Sequence, residues 1–318
     1  MYRLGIDLGG TNIAVGVVDE NYNIIGRGKV KTNLPRPVEE ICDSMAKAVF
    51  MAIEDAGLKI EDISSMGIGA PGSVDPPNGV ITYANNLGFN NTPIGQMMKE
   101  RTGATFYLEN DANAAAYGEF LAGAGKGTKH FIAITLGTGV GGGVIIDEKL
   151  FTGSSFAGAE LGHTILAMDG EQCTCGRKGC FEAYASATAL IRQTKAKMEQ
   201  NPDSIMWELA QNDINKVDGR TAWDAWRKGD RAASEVVETY CRYVAEGISD
   251  MMNIFQPEIV CIGGGVAGEK DNLIKPVNEM VNQRRYTRHS DKKDRVCVAA
   301  LGNDAGIIGA AFLDKLYK

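Results

Sequence analysis

The chain has 318 residues, 44% of them hydrophobic and 23% charged, a composition that builds a soluble globular protein with a large core. Its net charge of −7 argues against a general nucleic-acid or anionic-membrane surface. No run of about 18 uninterrupted apolar residues is present to span a bilayer. The length suggests two domains. A strand pattern starts at once with Leu4-Gly5-Ile6 and leaves no room for a secretory leader, so the seven cysteines read as reduced thiols or metal ligands in a cytoplasmic protein.

In chain order, Leu4 to Val18 reads as a strand, a glycine turn and a second strand, broken at Gly9-Gly10-Thr11-Asn12. Residues 38–57 carry apolar side chains at helical spacing (Ile41, Met45, Val49, Ile53) and stop at Gly57. Ile63 to Ala70 and Thr105 to Leu108 read as strands, and the alanine-rich stretch Ala112 to Ala122 as a helix. A second strand–glycine–strand unit spans Phe131 to Ile146. Shifted by 128 positions, Ile6 falls on Ile134, Leu8 on Leu136, Gly9 on Gly137, and Val17-Val18-Asp19-Glu20 on Ile145-Ile146-Asp147-Glu148. Such a repeat predicts two related α/β domains. Mostly helical sequence then runs to about residue 256, where Tyr240, Val244, Ile248, Met251 and Phe255 mark a buried stripe. A strand at Ile259 to Ile262 leads into Gly263-Gly264-Gly265, and Gly302-Asn303-Asp304-Ala305-Gly306 opens an apolar terminal helix.

Four sets of residues carry chemistry. At Asp7-Leu8-Gly9-Gly10-Thr11-Asn12 the glycines admit an anion close to backbone N–H groups, Thr11 and Asn12 add donors, and Asp7 is placed to hold magnesium through water. Gly137-Thr138-Gly139 repeats that logic, so the pair suits the two ends of a triphosphate. An ordinary glycine hairpin explains either turn alone. Neither matches the GxxxxGK[ST] loop or a strand–GxGxxG–helix unit, which disfavours a dinucleotide fold. In Glu109-Asn110-Asp111-Ala112-Asn113, Asp111 is either a helix cap or a general base for a hydroxyl attacking a phosphoryl group, with Asn110 fixing the same sugar.

His163, Cys173, Cys175 and Cys180 form a closed tetrahedral set suited to structural zinc, with redox thiols as the other reading. Glu160 and Glu182 flank it, placed to accept hydrogen bonds from adjacent hydroxyls. His163 has two ring nitrogens, one for the metal and one for a sugar hydroxyl. Gly264 and Gly265 would admit an adenine or ribose ring against bare backbone, although tight strand–helix packing explains them nearly as well. His130, His289, Cys42, Cys241, Cys261 and Cys297 read as structural or incidental. The basic run Arg284, Arg285, Arg288, Lys292, Lys293 and Arg295 is interrupted by Asp291 and Asp294 and reads as a solvated face.

Through Asp7-Leu8-Gly9-Gly10-Thr11, Glu109-Asn110-Asp111-Ala112-Asn113, Leu136-Gly137-Thr138-Gly139, Glu160-Leu161-Gly162-His163, the Cys173 to Glu182 segment and Gly263-Gly264-Gly265, the sequence resembles the bacterial glucokinases of the ROK (repressor, open reading frame, kinase) family. The resemblance covers essentially the whole chain. It implies an α/β fold of the actin-like ATPase (ribonuclease H-like) type, two α/β domains with a cleft between them. The small domain is expected at 1–110, with the helix at about 302–318 packing back on it, and the large domain with zinc at 111–301. It further implies magnesium-ATP as donor and a hexose, glucose first, as acceptor. Asp111 is then the base, Asn110, Glu160, His163 and Glu182 are the sugar contacts, and His163, Cys173, Cys175 and Cys180 hold Zn2+. Fructokinase, N-acetylmannosamine kinase and a non-catalytic sugar sensor are the alternatives. A dimer or tetramer is implied, and the start at the phosphate strand argues against the DNA-binding branch of that family.

Overall fold

Residues 1–290 and 295–317 are described by a computed structural model. Its elements run β1 (Tyr2–Leu8), β2 (Asn12–Val18), β3 (Ile24–Lys31), α1 (Val38–Asp55), β4 (Ile63–Ala70), β5 (Ser73–Asp75), β6 (Val80–Ala84), β7 (Phe89–Thr92), α2 (Ile94–Thr102), β8 (Phe106–Asn110) and α3 (Asp111–Ala122). They continue with β9 (Phe131–Leu136), β10 (Val140–Ile146), β11 (Lys149–Leu150), α4 (Glu182–Ala185), α5 (Ala187–Glu199), α6 (Met206–Leu209), α7 (Thr221–Arg227) and α8 (Arg231–Phe255). The chain ends through β12 (Ile259–Gly263), α9 (Asp271–Arg284), β13 (Arg295–Val298), α10 (Asp304–Ala311) and α11 (Asp314–Tyr317).

The internal repeat holds at the level of single residues. Adding 128 to the bounds of β2, 12 and 18, gives 140 and 146, the bounds of β10. The sheet orders match as well: β3-β2-β1-β4-β8 and β11-β10-β9-β12-β13. In the first, β1, β2 and β3 pair antiparallel, and β4 and β8 then add in parallel to β1. In the second, β10 and β11 are antiparallel, and β12 and β13 are parallel. This succession, a meander followed by parallel strands, is that of the actin-like ATPase (ribonuclease H-like) fold. A small antiparallel sheet, β5-β6-β7, completes the strands.

Two compact units result, one made of Met1–Ala133, Gly143–Ala159 and Ala300–Lys318, the other of Ile134–Gly142 and Glu160–Ala299.

In the first unit the pleat sorts side chains by face. Leu4, Ile6, Val15 and Val17 join a core with Ile41, Met45, Val49 and Ile53 of α1, the four positions whose spacing predicts that helix. Burial of each such side chain contributes about 1.5–3 kcal/mol. The opposite face carries a row of cross-strand partners, Gly67, Gly5, Gly16 and Arg27. α10 lies on it so closely that a Cβ at Gly5 would stand 1.9 Å from the Ile307 carbonyl oxygen, and one at Gly67 2.0 Å from that of Ala310. The same helix meets α3 backbone to backbone: a Cβ at Gly118 would lie 2.0 Å from the Ala305 oxygen, and one at Gly309 1.7 Å from that of Ala114. Only glycine permits either approach. Glu119, 2% exposed, closes this end of α3 by accepting N–H bonds from Ala124 (2.9 Å), Ala300 (3.0 Å) and Leu301 (2.7 Å).

In the second unit, α8 buries Tyr240, Val244, Ile248 and Met251 as its stripe requires, with Phe255 half-buried at the end. Its cap is Asp230, accepting from the Ala233 N–H at 2.8 Å. Arg285 corrects the reading of a solvated basic face, being 2% exposed where α9 ends, and Arg284 pairs with Glu246 at 2.5 Å. Lys292, Lys293, Asp291 and Asp294 lie outside the described residues.

Candidate active site and metal centre

The first unit brings Asp7, the Gly9 to Asn12 turn, Asn110 and Asp111 to the ends of β1 and β8, the two parallel strands that flank β4. β1 runs into the turn, where the Gly9 N–H donates to the Asn12 carbonyl at 3.0 Å. Thr32, fully buried, buttresses the turn from the end of β3, its hydroxyl donating to the Gly9 carbonyl at 2.6 Å and its N–H to the Thr11 carbonyl at 3.0 Å. The Gly9 amide is thus used within the hairpin. Among the described residues, the Gly10 and Thr11 amides have no backbone partner and remain as donors for an anion. Asn86 adds an amide nearby, 3.6 Å from the position a Gly10 Cβ would take.

At the end of β8, Asn110 is the cap of α3, its Oδ1 accepting from the N–H groups of Ala112 (2.9 Å) and Asn113 (3.2 Å). The capping role open to Asp111 in the sequence therefore falls one residue earlier, where the backbone is still extended. Asn110 Nδ2 also donates to the Gly72 carbonyl at 3.0 Å, which leaves one amide hydrogen for a ligand. Asp111 makes one short contact, from the Ala112 N–H at 2.8 Å, and no ion pair among the described residues. Burial pushes its carboxyl above the ordinary range. Asp7 is raised to about 6, first by burial and then by the charge of Asp111. Two desolvated carboxylates that repel each other suit a site where a cation and a proton are exchanged.

The second unit carries the Gly137 to Gly139 turn, the glycine run, the flanking acids and the cysteine cluster. The Gly137 N–H closes its turn onto the Gly139 carbonyl at 3.0 Å, so this amide, like that of Gly9, is used internally. Thr138 is exposed and its carbonyl accepts from the Thr188 hydroxyl at 2.8 Å. Gly264 (φ 82°) stands against the Leu136 backbone, a Cβ there meeting its oxygen at 2.5 Å, which assigns this glycine to packing. Gly265 and Gly137 face open space instead, with nothing within 4 Å of an added Cβ.

The ligand atoms of His163, Cys173, Cys175 and Cys180 lie within 4.8 Å of one another. Cys175 and Cys180 sulfurs are 3.7 Å apart, and Cys173 Sγ is 3.7 Å from His163 Nδ1. A tetrahedron with metal–sulfur bonds of ~2.3 Å has sulfur–sulfur edges of about 3.8 Å. The separations fit that figure and are far from a disulfide's. Burial, then the thiols of Cys175 and Cys173, push the Cys180 thiol up to about 12, and a divalent cation removes that penalty. The wrap depends on Gly176 (φ 90°) and Gly179 (φ 82°), the latter lying where a Cβ would stand 1.7 Å from the Ala167 oxygen. Because Nδ1 faces the sulfurs, Nε2 of His163 is the nitrogen left for a ligand.

Glu182 is tied down more than the sequence suggests. Oε2 accepts from the Val140 N–H at 3.0 Å, and Oε1 from the Thr174 hydroxyl at 2.9 Å. It thereby connects the glycine turn to the cysteine loop, and a Cβ at Gly139 would stand 2.4 Å from Oε2 and push that carboxylate aside. Glu160 is exposed and caps a short turn, its carbonyl accepting from the His163 N–H at 3.0 Å. Thr32, Asn86, Glu119 and Thr174 were not singled out by the sequence. Most of their bonds are to backbone groups, which any residue supplies.

With this geometry in hand, the comparisons with known proteins are decisive at the level of family. The model of the ROK family matches residues 3–316. The chain belongs to the ROK family. It is 38% identical over 314 residues to the glucokinase of Thermotoga maritima, covering 98% of this chain and 96% of that one. It is 36% identical over 315 residues to the glucokinase of Streptomyces coelicolor, covering 98% and 97%. A ROK family glucokinase from Streptomyces griseus, solved with glucose and AMPPNP, superposes with a TM-score of 0.83 at 36% identity, covering 98% and 99% of the two chains. Among the described residues no helix is long and apolar enough to cross a membrane.

Proposed function

We propose that this ROK protein transfers the γ-phosphoryl group of ATP to the 6-hydroxyl of a hexose, glucose before other sugars. The observation that carries the reading is Asp111: a desolvated carboxylate at a strand–helix junction, with no cation on it among the described residues, beside a second acid and a glycine turn. The acceptor hydroxyl gives its proton to Asp111 as its oxygen bonds to phosphorus, and the bond from phosphorus to the β–γ bridging oxygen breaks to release ADP. Asn110 offers the sugar its remaining amide hydrogen. Glu160, Glu182 and His163 Nε2 take the other hydroxyls, and the glycine turns, Gly9 to Asn12 and Gly137 to Gly139, take the phosphates of the nucleotide. Gly265 leaves room for the nucleoside, and Gly264 shapes its wall.

Asp7 would hold the magnesium ion that accompanies ATP, which would supply charge neutralisation to the phosphates and relieve the repulsion between Asp7 and Asp111. His163, Cys173, Cys175 and Cys180 would hold zinc, which would supply a fixed orientation for the His163 ring. The same reading makes the protein a cytoplasmic enzyme of carbohydrate metabolism, assembled as a dimer or tetramer and without nucleic-acid or membrane partners.

A coupled assay of ADP release with a panel of hexoses tests it. Glucose is expected to give the highest kcat/KM; preference for fructose or N-acetylmannosamine would move the enzyme within its family, and no stimulation by any hexose would leave a sugar-sensing protein. Elemental analysis of purified protein is expected to return about one zinc per chain, and Cys180→Ser to remove it together with thermal stability. A metal-free wild-type protein of undiminished melting temperature would refute the metal assignment.

A further inference from the structure

Glu109 is a carboxylate with no solvent exposure at all, placed two residues before Asp111. Burying such a group is costly unless its lone pairs are met, and here they are met from two directions. Oε1 accepts from the Asn110 N–H at 2.8 Å and from Asn113 Nδ2 at 3.0 Å, two donors that bracket Asp111 along the chain. Oε2 accepts from the Tyr317 hydroxyl of α11. α11 is anchored in turn. Asp314, 3% exposed, takes a two-pronged bond from Arg3 of β1, at 3.0 Å from Nε and 3.3 Å from Nη2. The guanidinium of Arg3 also lies over the Phe312 ring, 4.6 Å from its centroid. Polar contacts thus link β1, the strand that carries Asp7, to α11, and α11 in turn to the residue that precedes the Asn110–Asn113 turn.

A glutamate–tyrosine contact on a fully buried carboxylate is a poor way to gain stability, because apolar residues of the same size would pack there without the desolvation cost. It is a good way to fix a turn. Each donor on Glu109 is directional, and the one on Oε2 stops the carboxylate from rotating away from the two on Oε1. We infer that Tyr317 and Glu109 are positioning residues for phosphoryl transfer, the tyrosine acting through the glutamate to hold the Asn110–Asn113 turn and with it Asp111. The inference rests on the sugar-kinase reading above for its effect on rate, and on the contacts alone for its effect on the turn. Burial raises the carboxyl of Glu109, and the hydrogen bond from Tyr317 opposes that rise.

The test is Tyr317→Phe in the full-length protein, which removes one oxygen and keeps the ring, with Glu109→Gln and the double variant beside it. Hydrogen exchange at the Asn110 amide reads the turn directly, and steady-state kinetics with glucose and magnesium-ATP read the rate. For Tyr317→Phe we expect Asn110 exchange to rise about tenfold, with kcat down about tenfold and both KM values within about twofold. The double variant should be no slower than Glu109→Gln alone, because one path carries both effects. Wild-type exchange in Tyr317→Phe, wild-type kcat, or losses that multiply in the double variant would each overturn the inference. Should wild-type protein turn over no hexose, the kinase reading is what fails, and the exchange result alone then decides the brace: acceleration keeps it, no change removes it.

Discussion

The tripeptide Asn-Asp-Ala occurs twice, as Asn110-Asp111-Ala112 at the start of α3 and as Asn303-Asp304-Ala305 at the start of α10. The two helices pack on each other, and each aspartate is the first residue of its helix. Their surroundings separate them. Asp304 receives both Nη atoms of Arg27 at 2.7 Å, and that bond holds its carboxyl below the usual range. Among the described residues Asp111 has no cation, and burial holds its carboxyl above that range. One aspartate spends its charge fastening a helix to a sheet; the other keeps its affinity for a proton. Residue type and helix position are the same, so the chemistry comes from the neighbour across the sheet.

The contrast is open to direct attack. Asp111→Asn should lower kcat by two to four orders of magnitude, roughly what general-base catalysis contributes, while Asp304→Asn should change kcat by less than about threefold. Equal losses in the two variants would mean that position, not environment, makes the base. Asp7→Asn comes next. Because the folded pKa of Asp7 is raised from 3.8 to about 6, the folded chain keeps a proton that the unfolded chain releases. The stabilisation from that proton is complete below the unfolded pKa and is lost as pH rises through about 6. Melting temperatures of the metal-free wild type should therefore fall across that window. Asp7→Asn should flatten the fall and stabilise the protein at pH 7 by up to about 3 kcal/mol, at the expense of magnesium-dependent turnover. An unchanged pH profile would show that neither burial nor its neighbour raises the Asp7 carboxyl. The smallest effect belongs to Arg27→Ala. This pair is largely solvent-exposed, so its loss should cost no more than about 1 kcal/mol in denaturant unfolding and leave kcat intact.

Most of the fold was legible because periodicity is a local signal. The spacing of Ile41, Met45, Val49 and Ile53 predicts α1, and the 128-residue shift maps β2 onto β10 without error. The cysteine cluster was legible for a similar reason, since three of its four ligands fall within eight residues, 173–180, and soft donors at that spacing have few other uses. Cap assignment was not. Asn110 and Asp111 both suit a helix start, and only the extended backbone at 110 decides between them. Glu119 was invisible because every partner it has is a backbone N–H, two of them more than 180 residues away. The same holds for the bond from Val140 to Glu182, and for the Arg27–Asp304 pair, 277 residues apart. Long-range polar contacts leave no mark on the spacing of either strand or helix.

The glycine row beneath α10 also bears on how the chain comes into being on the ribosome. Gly5 and Gly67 are translated early, yet the helix that covers them arrives only with residues 304–311. Translation proceeds from the amino end at ~5–20 residues per second, so the first sheet waits ten seconds or more for its lid. The segment Glu160–Ala299 is complete before then. The half of the protein that is made first is therefore the half that finishes last, and a nascent chain stalled short of residue 304 would expose a bare glycine groove to whatever helix or chaperone passes by.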